Sequence, residues 1–180
     1  VSGANAGDFT VTTQPSASVA AFSSTTFVVT FVPSALGLRT ATLTFSNNDS
    51  NENPYNFNIQ GTGVTREIDV MGNGLSIVNG DAVTSISDHT DFGPADINLA
   101  TITRVFTILN TGSLPLSISN PTITGLNAAE FSISANPGTL SIGAGSSTTF
   151  SVTFNPSAVF TRVATINIVN NDSDENPYTF

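Results

Sequence analysis

One phrase occurs twice in this chain of 180 residues, as NNDSNENPYNF at 47–57 and as NNDSDENPYTF at 170–180. The two copies are 123 positions apart, since Asp49 corresponds to Asp172. The same shift relates further pairs: Phe27 to Phe150, Phe31 to Phe154, Pro33 to Pro156, Arg39 to Arg162, Ala41 to Ala164 and Pro54 to Pro177. Self-similarity at a fixed spacing indicates copies of one structural unit.

Nearer the start the shift is one residue shorter, because AGDFTV at 6–11 corresponds to AAEFSI at 128–133. The change falls in a loop rich in Pro, Ser and Gly, where insertions are tolerated. We therefore predict that 1–63 is the C-terminal half of one repeat and 64–180 a second repeat lacking its final strand. NIQGTG at 58–63 closes the first repeat and has no counterpart after Phe180. We expect a neighbouring repeat or an identical subunit to supply that strand.

Short segments of the chain alternate apolar and hydroxyl side chains, which is the pattern of half-buried strands. The positions predicted to face inward are Phe27, Val29 and Phe31; Phe150, Val152 and Phe154; Ala41, Leu43 and Phe45; Ala164, Ile166 and Ile168; and Tyr55, Phe57 and Ile59. Turn residues separate these segments at short intervals. The sequence therefore predicts an all-β fold of tandem immunoglobulin-like antiparallel β-sandwich domains.

Arg104 interrupts this pattern, since it shares a face with Ile102, Phe106 and Ile108. An arginine that faces a core needs a carboxylate partner. Two alternatives stay open at this point: a bulge turns the side chain away, or the residue lies at the open end of its strand.

The charge balance excludes several classes of function. The formal net charge is −9, with four Arg, no Lys and no Cys. So few basic residues cannot form a patch that binds nucleic acid or an anionic membrane surface, and no apolar run reaches the ~20 residues that cross a bilayer. Charged residues make up 9% of the chain, against ~25% in typical soluble domains. This composition favours an extracellular or cell-surface protein.

Candidate chemistry is sparse. His89, between Asp88 and Asp91, is the single histidine, and we interpret its surroundings as a polar loop anchored by a buried Phe92. The loop at 170–176 holds Asp172, Asp174 and Glu175, hard oxygen ligands that could bind Ca²⁺, although the spacing is not that of an EF-hand. The alternative is an Asx-rich turn that caps its own backbone. We predict no catalytic residue and no cofactor other than this possible calcium ion.

Several motifs together resemble the choice-of-anchor D domain of microbial surface proteins, which is related to Hydin-like and major-sperm-protein-like immunoglobulin-type sandwiches. They are IDVMGNG, TDFG, FTILNTGSLPLSIS, AEFSIS, TTFSVTFNPSA, NNDSDENPYTF and IQGTG. The resemblance implies a sandwich of seven or more strands, repeated in tandem in long exported proteins. It implies a spacer or attachment role and no enzymatic activity.

The predicted function is that of a non-catalytic structural repeat in a long extracellular surface protein, stalk, adhesin or filament. The alternative is a β-sandwich module that binds carbohydrate or protein through its end loops. The aromatic candidates for such binding are Tyr55 and Tyr178, since the other aromatic residues are phenylalanines, mostly at inward positions. Nucleic-acid binding and insertion of this segment into a membrane are not expected.

Overall fold

The structure, a computed structural model, describes residues 1–98 and 100–180. These residues form β-strands, two short 3₁₀ turns and loops, without an α-helix. Every strand pairing among them is antiparallel, which confirms the predicted all-β fold. The chain divides into two compact units, unit 1 at Val1–Val64 and unit 2 at Thr65–Phe180.

Unit 1 contains two antiparallel pairs of strands. They are β1 (Phe9–Thr13) with β2 (Val28–Phe31), and β3 (Gly37–Phe45) with β4 (Tyr55–Gly63). The second pair is continuous, running from Gly37 opposite Gly63 to Phe45 opposite Tyr55. A 3₁₀ turn at Ala6–Asp8 precedes β1.

The described residues of unit 2 form ten strands in three sheets. They are β5 (Ile68–Gly72), β6 (Leu75–Ile77), β7 (Ile102–Asn110), β8 (Leu116–Ser117), β9 (Thr122–Thr124), β10 (Phe131–Ala135), β11 (Ser141–Ile142), β12 (Ser147–Phe154), β13 (Thr165–Ile168) and β14 (Tyr178–Thr179). The sheet orders are β10-β12-β7-β5-β6, β11-β8 and β14-β13-β9. A 3₁₀ turn at Ala128–Glu130 precedes β10.

One hydrophobic core lies inside unit 2. Its centre is the stacked pair Phe106 and Phe150, with ring centroids 5.4 Å apart, and Phe180 lies 5.3 Å from Phe106. The core joins side chains from the five-stranded sheet to Ile166, Ile168 and Tyr178 on β13 and β14. The inward positions predicted on β12 and β13 are therefore correct.

The corresponding side chains of unit 1 are more exposed to solvent than those of unit 2. Phe45, Tyr55 and Phe57 are 38–45% exposed, although the alternation predicts that they face inward. Their counterparts Ile168 and Tyr178 are at most 2% exposed, because strands of the five-stranded sheet pack over them. These side chains are buried only where a second sheet packs over them. The alternation within one strand does not show whether such a sheet is present.

The two units share their strand register. Phe9 pairs with Phe31 in unit 1, and Phe131 pairs with Phe154 in unit 2. Each pairing is then interrupted by a bulge at the same place, after Val11 and Ile133. The similarity of the two sequence segments is therefore accompanied by the same strand pairing and the same bulge.

Arg104 lies on β7 opposite Val152 in a regular stretch of the ladder, so no bulge turns it away. It is the third residue of its strand, which agrees with a position near the strand end. The expected carboxylate partner is not found among the described residues. Instead, Nη2 donates a hydrogen bond of 3.3 Å to the carbonyl oxygen of Phe92.

Candidate functional site

The acidic loop that precedes β14 caps its own backbone. The side chain of Asn170 accepts from the amide of Asp172 at 2.8 Å and donates to the carbonyl of Glu175 at 2.9 Å. Asn176 Oδ1 accepts from the amide of Asn170 at 3.1 Å. These bonds form an Asx-rich turn.

Unit 1 builds the same turn from the corresponding residues. Asn47 accepts from the amide of Asp49 at 2.7 Å and donates to the carbonyl of Glu52 at 2.9 Å. Asn53 accepts from the amide of Asn47 at 3.1 Å. Because these bonds connect neighbours in the chain, the repeated phrase specifies the turn locally in both units.

In unit 2 the turn also brings carboxylates together with a residue far away in sequence. Single carboxylate oxygens of Glu67, Asp172 and Asp174 all lie within 4.8 Å of one another; we call these three residues the acidic cluster. Glu67 was not among the predicted site residues. Glu175 was predicted, but its side chain is not part of this group among the residues that the structure describes.

Asp172 is the buried member of the acidic cluster, at 2% exposure. Its Oδ2 accepts from the backbone amide of Ile68 at 2.9 Å, which ties the turn to the start of β5. Its Oδ1 is also buried, and no donor among the described residues reaches it. A buried carboxylate oxygen without a partner is costly, so this atom calls for a ligand.

The carboxylates of this region repel one another. Burial, followed by repulsion from Asp172 and Asp174, raises the pKa of Glu67 above its ordinary value. Burial also raises the pKa of Glu175, with repulsion from Glu67 and the neighbouring aspartates adding to it. Both shifts mean that unit 2 holds the protonated form of these groups more strongly than the unfolded chain does.

Mild acid is therefore expected to stabilise unit 2. A raised carboxyl pKa makes the folded state bind more protons than the unfolded state, so stability falls as pH rises from the ordinary carboxyl pKa through the raised one. We expect the melting temperature of unit 2 in metal-free buffer to rise as pH is lowered from 7 towards 5. Calorimetry at successive pH values measures it. The double variant Glu67→Gln with Glu175→Gln should flatten the profile, and a falling melting temperature in the wild type would contradict the expectation.

The loop around His89 serves the fold. Asp88 accepts from the amide of Thr90 at 3.0 Å, and Asp91 accepts from the amide of Gly93 at 2.8 Å. Phe92 at the end of this loop is buried. These contacts support the interpretation of a polar loop anchored by that phenylalanine.

Tyr178 is buried as well. It is 2% exposed and its hydroxyl donates to the carbonyl oxygen of Ile77. Burial raises the pKa of Tyr178 to about 12. The residue is therefore not presented to a carbohydrate, whereas Tyr55 in unit 1 is 45% exposed.

Unit 2 contains an apolar groove beside β13, with a volume of about 580 Å³; we call it the β13 groove. Its lining includes the aromatic group Phe92, Phe131 and Phe154, whose ring centroids lie 4.7–5.9 Å apart. Ile123 and Ile166 line another part of it. Its lining is mainly apolar and also includes the charged residues Asp81, Asp91 and Arg162.

Comparisons with known proteins do not place the chain in a family. No protein-family model and no curated protein matches it. A solved structure that resembles it is the crystal structure of a protein of unknown function from Porphyromonas gingivalis W83, at 15% identity. The match covers 96% of this chain and 81% of that chain, with a TM-score of 0.45. In the described part of the chain no helix has the length and hydropathy of a membrane span.

Proposed function

We propose that this chain is a non-catalytic structural segment of a long extracellular surface protein, stalk, adhesin or filament. In this proposal its units are tandem immunoglobulin-like β-sandwich repeats of the choice-of-anchor D type. They span distance and contact neighbouring repeats of the same protein. Their work is mechanical and requires a packed core, with no reacting group.

The observation that carries the proposal is the shared register of the two units. Phe9 opposite Phe31 and Phe131 opposite Phe154 repeat one pairing with one bulge. Three side-chain bonds of the Asx-rich turn recur in both units. A chain that builds the same backbone twice is suited to a role in which the number of units matters, such as setting a length.

The placement of the polar residues supports the same role. Asp88 and Asp91 accept bonds from their own loop, and Arg162 is paired with Glu130 at 3.3 Å. These groups stabilise loops and strand ends in the way that structural side chains do. The alternative of carbohydrate binding loses Tyr178, because that side chain is buried.

Surface labelling of intact cells tests this proposal. Antibodies raised against the 180-residue chain should label producing cells before permeabilisation, and a brief external protease treatment should remove the label. An antibody against a cytoplasmic protein serves as the control and should label only opened cells. Labelling by the first antibody that appears only after permeabilisation would overturn the proposed location and, with it, the surface role.

A further inference from the structure

Unit 1 shows how its β3 strand is covered along one edge. β4 pairs with it over the full length of 37–45. The corresponding strand of unit 2, β13, covers only Thr165–Ile168 and pairs with β14 through Ile168 opposite Tyr178. Ile166 and Phe180 exchange backbone bonds of 2.8 and 3.2 Å. Beyond this point, no strand among the described residues pairs with 160–164 on that side.

The β13 groove occupies the place that β4 fills in unit 1. In unit 1, positions 58–63 pair with 37–42 and pack against Phe31 and Ala35. Counterparts of those contacts line the groove, apart from Thr165, which corresponds to Thr42: Phe154 for Phe31, Ala158 for Ala35, Arg162 for Arg39, and Ala164 for Ala41. Unit 1 is therefore an internal template for what the groove accommodates.

The rim of the groove exposes apolar side chains. Val159, Phe160 and Val163 are 57%, 91% and 50% exposed. Phe160 also holds a φ of 79°, where its counterpart Gly37 has 86°. A bulky residue in this conformation is costly, and so is the exposure of its ring to water. In unit 1, Leu36, the counterpart of Val159, is 63% exposed next to the stretch that β4 pairs, and Gly37 keeps its positive φ while paired with Gly63. The rim of the groove therefore has the backbone conformation of the covered edge in unit 1.

We propose that the β13 groove receives one extended polypeptide strand that prolongs β14 and pairs antiparallel with residues 160–165. This deepens the proposed function, on which it rests, by assigning the strand that completes unit 2. The register leaves no gap between Phe180 and the first residue of that strand, because Phe57 and Asn58 are consecutive in the template. In this register a strand that continues directly from β14 needs no linker, and the free peptide described below tests a strand carried by a separate molecule.

The template also specifies the chemistry of this strand. A Cβ atom on Gly61 would lie 2.5 Å from the ring of Phe31, and one on Gly63 would lie 2.0 Å from the carbonyl oxygen of Ala35. The corresponding surfaces in the groove belong to Phe154 and Ala158. The strand therefore needs glycine at its fourth and sixth residues, in the pattern Asn-Ile-Gln-Gly-Thr-Gly.

Adding this sequence to the chain tests the proposal. The 180-residue chain extended by Asn-Ile-Gln-Gly-Thr-Gly after Phe180 should melt about 5–10 °C higher in its unit 2 transition. Amide hydrogens of 160–165 should become protected from exchange. The control is an extension in which both glycines are replaced by valine. Valine has the higher strand propensity, but its side chains would overlap Phe154 and Ala158. No gain from the glycine extension, or an equal gain from both, would overturn the proposal.

Adding the free hexapeptide Asn-Ile-Gln-Gly-Thr-Gly to the 180-residue chain distinguishes a strand that is covalently joined to β14 from one that binds as a separate molecule. At equimolar concentration it should give no measurable shift, because joining the strand to β14 supplies an effective concentration that the free peptide lacks. A shift as large as that of the extended chain would overturn the joined arrangement. A negative result in these experiments would not change the surface-labelling result. The proposed strand in the β13 groove and the proposed surface role can therefore be disproved independently.

A second inference rests on the acidic cluster and not on the groove. We infer that Glu67, Asp172 and Asp174 bind a calcium ion. Three carboxylates converge within 4.8 Å, and the buried Asp172 carries an oxygen that no donor among the described residues reaches. Calcium prefers several hard oxygen ligands of this kind. A bound ion would give that oxygen a partner and cancel the repulsion within the cluster.

Unit 1 supplies a control for the calcium site. Its matching turn has Asp49 in place of Asp172 and Asn51 in place of Asp174. Asp174→Asn therefore converts the unit 2 turn to the unit 1 form at an exposed position that the fold tolerates. Glu52→Gln, which changes the counterpart of Glu175, removes a charge outside the acidic cluster.

Titration with Ca²⁺ alone tests this inference. Calorimetry should show one site per chain and a rise of the unit 2 melting temperature in millimolar Ca²⁺. Asp174→Asn and Glu67→Gln should each weaken binding at least tenfold, whereas Glu52→Gln should bind as the wild type does. An absence of heat and of any melting shift at 10 mM Ca²⁺, or equal binding by all four proteins, would overturn the site.

Discussion

Replacing Phe150 by alanine is expected to lower the free energy of unfolding of unit 2 by about 3–5 kcal/mol. The side chain is 1% exposed, and its ring is stacked 5.4 Å from that of Phe106 at the centre of the core. Truncation removes the transfer free energy of the ring and leaves a cavity on the core face of two strands that pair along their length. The backbone ladder limits how far the surroundings can collapse into that space.

Phe27→Ala is the matched control, because Phe27 occupies the same repeat position in unit 1. Its ring is only partly buried, 6.4 Å from that of Phe45, so its removal opens no closed cavity. We expect a loss of about 1 kcal/mol. Urea unfolding followed by circular dichroism measures both variants. Equal losses would show that the core of unit 2 is not packed around Phe150 as described.

Much of the fold can be predicted from the sequence because its determinants are local. The alternation of Phe150, Val152 and Phe154 predicts one buried face, and all three side chains are buried. The Asn-rich turn is likewise specified by bonds between neighbours. Such features repeat whenever the local sequence repeats, and they therefore appear in both units.

Features that depend on distant segments were not predictable in the same way. Phe45 follows the alternation of its strand but is 40% exposed, because burial requires a covering sheet. Arg104 was expected to find a carboxylate and instead donates to a backbone carbonyl. In each case the partner is determined by tertiary packing, about which the strand's own pattern carries no information.

The candidate site also combines residues that the local sequence predicts with a residue that only the tertiary fold brings to it. Asp172 and Asp174 belong to a conspicuous acidic turn and were predicted from it. Glu67 joins them across the fold, where the next residue, Ile68, is separated from Asp172 by 104 positions. No spacing rule in a single sequence connects such residues. Glu175 was predicted because it is adjacent in sequence, although adjacency in a turn does not make side chains converge.

Asn110 is a buried polar residue at the end of β7, and its replacement by alanine is expected to cost about 3–4 kcal/mol. The side chain is fully buried. Its amide donates to the carbonyls of Leu114 and Ile142 at 2.8 and 2.9 Å, and its Oδ1 accepts from the amide of Gly112 at 3.0 Å. Alanine leaves three backbone groups without partners where water does not replace them.

Two further variants separate the lost hydrogen bonds from the lost volume. Asn110→Leu fills the space but restores no bond, so its cost should equal or exceed that of alanine, since an unsatisfied buried polar group costs about 1–3 kcal/mol. Asn120→Ala, at an exposed position of unit 2, should change stability by less than about 0.5 kcal/mol. Urea unfolding of the three variants provides the comparison. If leucine recovered most of the stability lost with alanine, packing rather than hydrogen bonding would explain why Asn110 is buried in unit 2.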